Sequence, residues 1–439
     1  MLVCMGGPDQ GKRVAVSGQP AVIGRASACE VASDDPEVAE RHVSLRLEDG
    51  KPVFKVTEGC AAFVDGRRVS EGRLEPGQQL RLGRSWWQVD AAGGAELSSF
   101  LSSLGGRISD AAGLEKIEGF SPGAMFSEIW RKRTDEEMEQ YFAVGTPATT
   151  PSLAEVDTNW PKPWLFLKTF ILAALVYAGF VFAYQTFNSE LVLPGLLTFG
   201  AFVIPFSLLI FFFEMNVLRN VPLYQVLKLV FLGGILSVLL SLLLYQWTKM
   251  DSWFGAAGVG LIEETGKAAA LLLVINKLKY RWTLNGLLFG AAIGAGFAAF
   301  ESAGYAYSSG VELGDQAMLH SITVRGLLSI CGGHVLWAAL VGGALWRVRG
   351  DGKFRWEMLK DARFLRIFGL CAAMHALWDA PFQLPFELKY LALGFVAWVA
   401  LLSLIQSGLR QVRAAQPVGA TEYFKKQRQA ENAASAAPK

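Results

Sequence analysis

The sequence predicts an all-β sandwich followed by an all-α polytopic membrane domain of about eight transmembrane helices. Hydrophobic residues are 52% of the 439 and charged residues 18%, with a mean hydropathy of +0.31. That balance excludes a disordered chain and is too apolar for an ordinary soluble one. The apolar weight is also uneven: residues 1–160 carry ordinary charge and alternation, whereas 164–409 hold repeated apolar runs of about 20 residues, the length of a bilayer core. A formal net charge of +2 lacks the concentrated basic face of a nucleic-acid binder. The cysteines (Cys4, Cys29, Cys60, Cys331, Cys371) are odd in number and scattered, so no disulfide framework is expected. Met1–Gly11 is short and weakly apolar, without the basic start of a signal peptide.

In the head, residues 1–92, short strands are expected at Arg13–Ser17, Ala21–Ile23, His42–Leu47, Val53–Val56, Phe63–Val64, Gln79–Leu82 and Trp86–Val89. Glu48-Asp49-Gly50, Val64-Asp65-Gly66 and Glu75-Pro76-Gly77 mark turns at sandwich-like intervals. The order Ile23-Gly24-Arg25, Val38-Ala39-Glu40-Arg41-His42, Phe63-Val64-Asp65-Gly66 and Leu80-Arg81-Leu82-Gly83 resembles a forkhead-associated (FHA) domain. The resemblance implies loops that grip phosphothreonine with an arginine, a serine and an asparagine. Arg25 and His42 match that pattern, but Ala39 stands at the serine position and Cys60 or a neighbour at the asparagine. An arginine alone makes a poor phosphate pocket, so the head is expected to dock or scaffold, with phosphoprotein recruitment the alternative.

Residues 93–160 read as a linker with a weak amphipathic helix at Leu97–Ile117 and a charged helical stretch at Thr134–Tyr141. The extended Thr146–Pro151 and Trp160–Trp164 segments lead into a membrane domain at 161–410. Its expected spans are Trp164–Phe187, Leu191–Phe213, Tyr224–Trp247, Gly255–Lys279, Thr283–Tyr307, Arg325–Trp346, Phe364–Leu384 and Leu388–Leu409. Basic residues collect at 277–281, 347–366 and in a tail at 411–439 expected to be disordered, while the alternate loops are short or acidic. The positive-inside rule then places both termini in the cytoplasm, in what reads as a bacterial inner membrane.

A charged side chain at mid-bilayer costs about 2.5–3.5 kcal/mol on insertion scales. Yet the second half of the membrane domain holds Glu263, Glu264, Lys267, Glu301, His334, His375 and Asp379. At about 1.5 Å rise per residue, Glu264, Glu301, His334 and His375 all fall roughly 9–14 Å below the outer surface. Independent structural hydrogen bonds have no need to share a depth. Lys267 lies three and four residues after the glutamates, and Asp379 four after His375, so each pair can meet on one helix face. Gly286, Gly290 and Gly294 repeat every four residues and permit close packing of the helix that carries Glu301.

The motifs Glu263-Glu264-Thr265-Gly266-Lys267, Gly294-Ala295-Gly296-Phe297-Ala298-Ala299-Phe300-Glu301, Arg325 with His334, and His375-Ala376-Leu377-Trp378-Asp379 resemble the PrsW family of intramembrane proteases, related to the CAAX-processing type. The resemblance implies hydrolysis of a peptide bond of a membrane protein within or near the bilayer. Glu263, Glu264, Glu301, His334 and His375 are then the catalytic candidates, with Lys267, Asp379 and Arg325 in support. Glu264 would deprotonate water. His334 and His375 would either ligate a metal, with zinc held by Glu301, His334 and His375, or stabilise the oxyanion directly. No H-E-x-x-H accompanies them, which leaves the two readings open. Glu263 also reads as a helix ion pair with Lys267, and Cys331 and Cys371 as apolar packing. Buried carboxylates and histidines also suit a transporter or channel, and an FHA-like head suits a membrane signalling scaffold.

Overall fold

The computed structural model describes residues 2–16, 18–48, 51–64, 67–74, 78–89, 104–115, 117, 120, 122–129, 131–134, 137, 141–331 and 333–417. The chain forms two compact units that divide between Leu104 and Gly105. In the first unit the strands are β1 (Leu2–Gly6), β2 (Arg13–Val14), β3 (Ala21–Gly24), β4 (Val31–Ala32), β5 (Val43–Glu48), β6 (Lys51–Val56), β7 (Ala62–Val64), β8 (Arg67–Val69), β9 (Glu71–Arg73), β10 (Gln79–Leu82) and β11 (Ser85–Val89). Among the described residues they make a six-stranded sheet, β2-β1-β11-β10-β7-β8, and a five-stranded sheet, β4-β3-β5-β6-β9. Leu2, Ile23, Val43, Leu45, Phe54, Leu80, Leu82 and Trp87 from the two sheets meet in one core. This is the expected sandwich. Its first strand, β1, was not anticipated, because Leu2-Val3-Cys4-Met5 is apolar on both faces and shows no alternation.

In the second unit the helices are α1 (Leu165–Phe187), α2 (Leu193–Met215), α3 (Leu223–Thr248, with a π-helical turn at Leu229–Gly233), α4 (Ala256–Ala270), α5 (Thr283–Leu313), α6 (Asp315–Leu328), α7 (Gly333–Arg349), α8 (Ala362–Asp379) and α9 (Leu388–Ala414). Every expected span has a helical counterpart. Six segments among the described residues are long and apolar enough to cross a membrane; they contain α1, α2, α3, α5, α6 with α7, and α9. The helices at the fourth and seventh expected positions fall short. One carries Glu263, Glu264 and Lys267 in a run that breaks at Leu271; the other carries Arg363, Arg366, His375 and Asp379. The count of about eight therefore rests on apolar runs that their own polar residues interrupt.

Packing centres on α5, whose residues from Thr283 to Ala299 are all buried. A Cβ at Gly290 would strike the Ala338 carbonyl, and one at Gly294 the His334 carbonyl, so the glycine repeat seats α5 directly on α7. Gly260 of α4 also faces α8 closely, where a Cβ would come 2.8 Å from the Ala372 carbonyl oxygen and 2.9 Å from the Ala376 nitrogen. The expected sixth span is broken: α6 ends at Leu328, a 3-10 turn follows at Ser329–Cys331, and α7 starts at Gly333. Gly333 has φ +68°, a conformation that glycine adopts without steric cost. The stretch between the fifth and sixth expected spans, one of the acidic loops, is instead helical, shared by α5 and α6, with His320 exposed on α6.

Much of the expected linker packs as part of the second unit. Ala112, Leu114, Met125, Val144 and Val156 are buried in its core. Glu214 at the end of α2 accepts the Trp164, Leu165 and Phe166 amides at 2.8, 3.0 and 3.0 Å and the Tyr141 hydroxyl at 3.2 Å. A carboxylate from a neighbouring helix thus caps the start of α1, where free N–H groups need acceptors. The start of the expected linker, up to residue 103, and the tail beyond residue 417 lie outside the described residues, as does most of the stretch expected to be helical at Thr134–Tyr141.

Candidate active site

Seven ionisable side chains from four helices converge where α4, α5, α7 and α8 meet, and Arg325 reaches them from α6. On α4, Glu264 and Lys267 lie one turn apart, and the ammonium donates to Glu264 Oε1 at 2.6 Å; both are fully buried. His375 of α8 donates its Nδ1–H to the same Oε1 at 3.0 Å. Lys267 also donates to His334 Nδ1 at 2.9 Å, so that nitrogen is an acceptor and His334 Nε2–H faces Glu301 Oε2 at 2.8 Å. The Arg325 guanidinium holds the same Glu301 oxygen at 2.8 Å. Phe297 and Trp337 lie 4.6 and 5.9 Å from the Lys267 ammonium, which gives the buried cation aromatic faces. Trp337 lies against the His375 ring with centroids 4.7 Å apart.

These contacts leave two oxygens of the cluster without a hydrogen-bond donor among the described residues, Glu264 Oε2 and, between the imidazoles, Glu263 Oε2. Glu263 Oε2 is buried and unpartnered among the described residues, 3.6 Å from His375 Nε2 and 3.9 Å from His334 Nδ1. Ligand atoms of Glu263, His334 and His375 all lie within 4.8 Å of one another. Asp379 Oδ2 approaches the same His375 Nε2 at 3.3 Å. With the Nδ1 proton committed to Glu264, an imidazole lone pair and two carboxylate oxygens face one another, a set of donors that fits a metal cation. Each histidine also has its other nitrogen on a carboxylate, Glu301 for His334 and Glu264 for His375, the outer contact that orients metal-bound imidazoles.

All eight membrane-domain residues singled out in the sequence thus lie in one connected network. Of the two pairs the spacing allowed, Lys267 takes Glu264 and not Glu263, and Glu263 joins the two histidines where the resemblance implied Glu301. Tyr245 was missed. Its hydroxyl donates to Glu263 Oε1 at 2.9 Å from α3, and a lone tyrosine in an apolar run carries no sequence signal. Cys371 is buried with its thiol 3.5 Å from the Trp337 carbonyl, a packing position, and neither Cys331 nor Cys371 joins the metal-compatible group.

Residues 205–405 match the profile of the PrsW family of intramembrane metalloproteases. That stretch is a PrsW-family region. It contains all the network residues and begins within α2. Residues 4–93 match the profile of the cytoplasmic domain of an inner membrane component of type III secretion systems, so the chain joins an FHA-like head to a PrsW-family membrane region. Comparison with curated proteins gives no match. Among solved structures, the FHA domain of the CT664 protein of Chlamydia trachomatis is 18% identical, covering 21% of this chain and 96% of its own, with a TM-score of 0.20. The cytoplasmic domain of the sorting platform protein PscD of P. aeruginosa is 20% identical over 21% and 79%, with a TM-score of 0.19. An FHA domain studied for phosphothreonine-dependent interactions is 20% identical over 20% and 95%, also at 0.19.

In the head, His42 is buried and links two loops: its Nδ1 accepts the Ala39 amide at 3.0 Å and its Nε2 lies 2.9 Å from the Ala61 carbonyl. It is a latch, facing away from solvent. Arg25 is exposed just beyond β3.

Proposed function

We propose that this chain is a metal-dependent intramembrane endopeptidase that hydrolyses peptide bonds of membrane proteins. The observation that carries the reading is the buried, unpartnered Glu263 Oε2 between His334 Nδ1 and His375 Nε2. Glu263, His334 and His375 would hold the ion, with the Lys267 ammonium giving up the His334 Nδ1 lone pair it now occupies, and zinc is the metal suited to such a set. Bound there, the metal would polarise water or the scissile carbonyl. Glu264 takes the proton from water on its Oε2, which is buried and has no hydrogen-bond partner among the described residues, while Lys267 keeps its other oxygen ionised. Glu301, held by Arg325, fixes His334 in the tautomer that leaves Nδ1 as an acceptor. Tyr245 fixes the Glu263 carboxylate in the same way.

Zinc titration of the purified full chain tests the metal centre. The intact protein binds one ion; His334→Ala and His375→Ala lose it. Retention of full zinc affinity by both variants would refute the ligand set and favour direct oxyanion stabilisation by the histidines.

The chain sits in the bacterial inner membrane with both termini in the cytoplasm, on the strength of the basic residues at 347–366 and in the tail. The FHA-like head docks a partner or regulates the protease. Its one exposed match to a phosphate pocket is Arg25, with Ala39 supplying no hydroxyl, so phosphothreonine peptides bind it weakly. A low-micromolar, phosphate-dependent affinity lost in Arg25→Ala would overturn that part.

A further inference from the structure

We propose that the cavity bordered by α3, α4 and α5 receives a bulky apolar substrate side chain next to the bond to be cut, and that Gly304 sets its depth. The proposal rests on the endopeptidase reading above.

The ionisable network stands between two cavities, of which the first is the more polar and the second the more apolar. One, about 350 Å³, is lined by Ser302, Arg325, His334, Asp379, Gln383 and Lys389 among others. The other, about 520 Å³, presents Glu263, Glu301 and Tyr245 together with the apolar side chains of Val238, Leu242, Phe297 and Phe300. Asp251 is the remaining charged residue among those that line it. Leu242 and Tyr305, which also line this second cavity, are 57% and 54% exposed on membrane-spanning helices, so it opens toward the acyl chains.

An intramembrane hydrolase must bring together a reactant stable in lipid and one stable in water. The polar cavity offers water several hydrogen-bonding partners, which is what an internal water needs. The apolar cavity suits a residue arriving from the lipid, and the reacting groups face both sides: Glu263 and Glu301 on the apolar one, His334 and Asp379 on the polar one.

Gly304 lies on α5 and lines the apolar cavity. A Cβ added there meets nothing within 4 Å and Gly304 is exposed, so a side chain at the cavity rim finds open space without moving backbone. Filling that space excludes large side chains and spares small ones. Gly326 provides the matched control: it lines the polar cavity, and the nearest atom to an added Cβ is the Gly200 carbonyl oxygen at 3.7 Å.

The probe is the membrane proteome of an expression host, with new protein N-termini mapped by mass spectrometry in cells making the full chain or a variant. Termini that appear with the wild type and vanish with Glu264→Gln report its cuts. We expect Phe, Leu, Ile, Met or Trp beside those cuts. Gly304→Leu should lower cutting at such sites at least tenfold relative to sites flanked by Ala or Ser, since about one methylene of misfit in an apolar pocket changes rates by 10–200-fold. Gly304→Ala should fall between, which keeps the test open if the leucine variant does not accumulate. Gly326→Leu should leave the large-to-small ratio unchanged. Cutting by Gly304→Leu and Gly304→Ala with the wild-type ratio would overturn the pocket assignment, as would an equal change in ratio with Gly326→Leu. If the wild type makes no Glu264-dependent termini, the endopeptidase reading falls first and this proposal with it.

Discussion

Replacing Glu264 by glutamine removes a proton acceptor while keeping nearly the same shape. The carboxylate has two separable roles in the structure. Its Oε1 is saturated by Lys267 at 2.6 Å and His375 Nδ1 at 3.0 Å, and its Oε2 has no hydrogen-bond partner among the described residues. A glutamine that turns its carbonyl toward Lys267 keeps both contacts to Oε1 and puts an amide where Oε2 stood. The amide cannot accept a proton. Loss of a general base typically costs about 10²–10⁴-fold, equivalent to about 2.7–5.5 kcal/mol of barrier. The stability change is bounded separately. Removing one partner of a buried pair outright costs about 3–5 kcal/mol, and the glutamine retains a hydrogen bond, so the loss should lie below that range. Zinc binding should survive, because Glu264 touches the metal-compatible group only through His375.

Cleavage and metal content measured on the same preparation separate these roles. Glu264→Gln should be inactive and metal-loaded, Glu263→Gln inactive and metal-poor. Full cleavage by both variants would make the whole cluster structural and return the transporter and scaffold readings to first place.

Three further outcomes follow from single contacts. Tyr245→Phe removes the donor to Glu263 Oε1 at 2.9 Å and should weaken zinc binding by about 10–100-fold; an unchanged affinity in a zinc titration would reduce the phenol to packing. Glu214→Ala strands three amides and a tyrosine hydroxyl at about 1–3 kcal/mol for each buried group left unpaired. Thermal unfolding in detergent should show a large loss, with Glu214→Gln intermediate, and equal loss in both would refute the capping role. In the head, Asp9 is buried, which raises its pKa, but the Ser33 hydroxyl, the Lys12 ammonium and the Asp34 amide outweigh burial and hold it below the usual carboxylate value of 3.8. A lowered folded pKa stabilises the head above pH 3.8, and that contribution disappears as pH falls through the folded value. Hydrogen exchange of the intact chain between pH 5 and 2.5 should therefore show protection falling in the head once the intrinsic slowing of exchange with acid is divided out, and Asp9→Asn should flatten that fall; an unaltered slope in the variant would exclude Asp9 as the cause.

The legible parts of this protein are those where a local rule forces a choice. Turn triplets such as Glu48-Asp49-Gly50 separate strands whose alternation shows, and the intervals Glu264 to Lys267 and His375 to Asp379 place partners on one helix face. The convergence of four helices was legible because buried charge demands partners. Other features depend on which helix faces which. Tyr245 serves Glu263 only because the π-turn and Gly233-Gly234 let α3 lie tightly on α5 around Ile293 and Gly296. His334 was placed in mid-span, yet it is the second residue of α7. The pair Gly332-Gly333 was the available sign of that break and was outweighed by the apolar residues on either side. Likewise, nothing in the composition of residues 105–160 announces that Glu214 will cap α1 or that Val144 and Val156 will enter the core.

The charges of the cluster supply an argument for a divalent ion that is independent of distances. Glu263, Glu264, Glu301 and Asp379 bring four carboxylates; Lys267 and Arg325 bring two fixed cations. With neutral histidines, two negative charges stay uncompensated in a setting where the first three carboxylates are largely withdrawn from solvent. Burial of unpaired charge is strongly unfavourable. With all four carboxylates kept ionised, one divalent ion restores neutrality, as would protons on both imidazoles, and the two solutions differ in what they leave free. Protonated histidines would hold every carboxylate in an ion pair and leave Glu264 with little appetite for a water proton. An ion seated at Glu263, His334 and His375 keeps the imidazoles neutral, takes up the charge of Glu263, and leaves Glu264 paired only through Lys267 and a histidine N–H. Of the two balances that keep all four carboxylates ionised, the one with the metal is the one that retains a base.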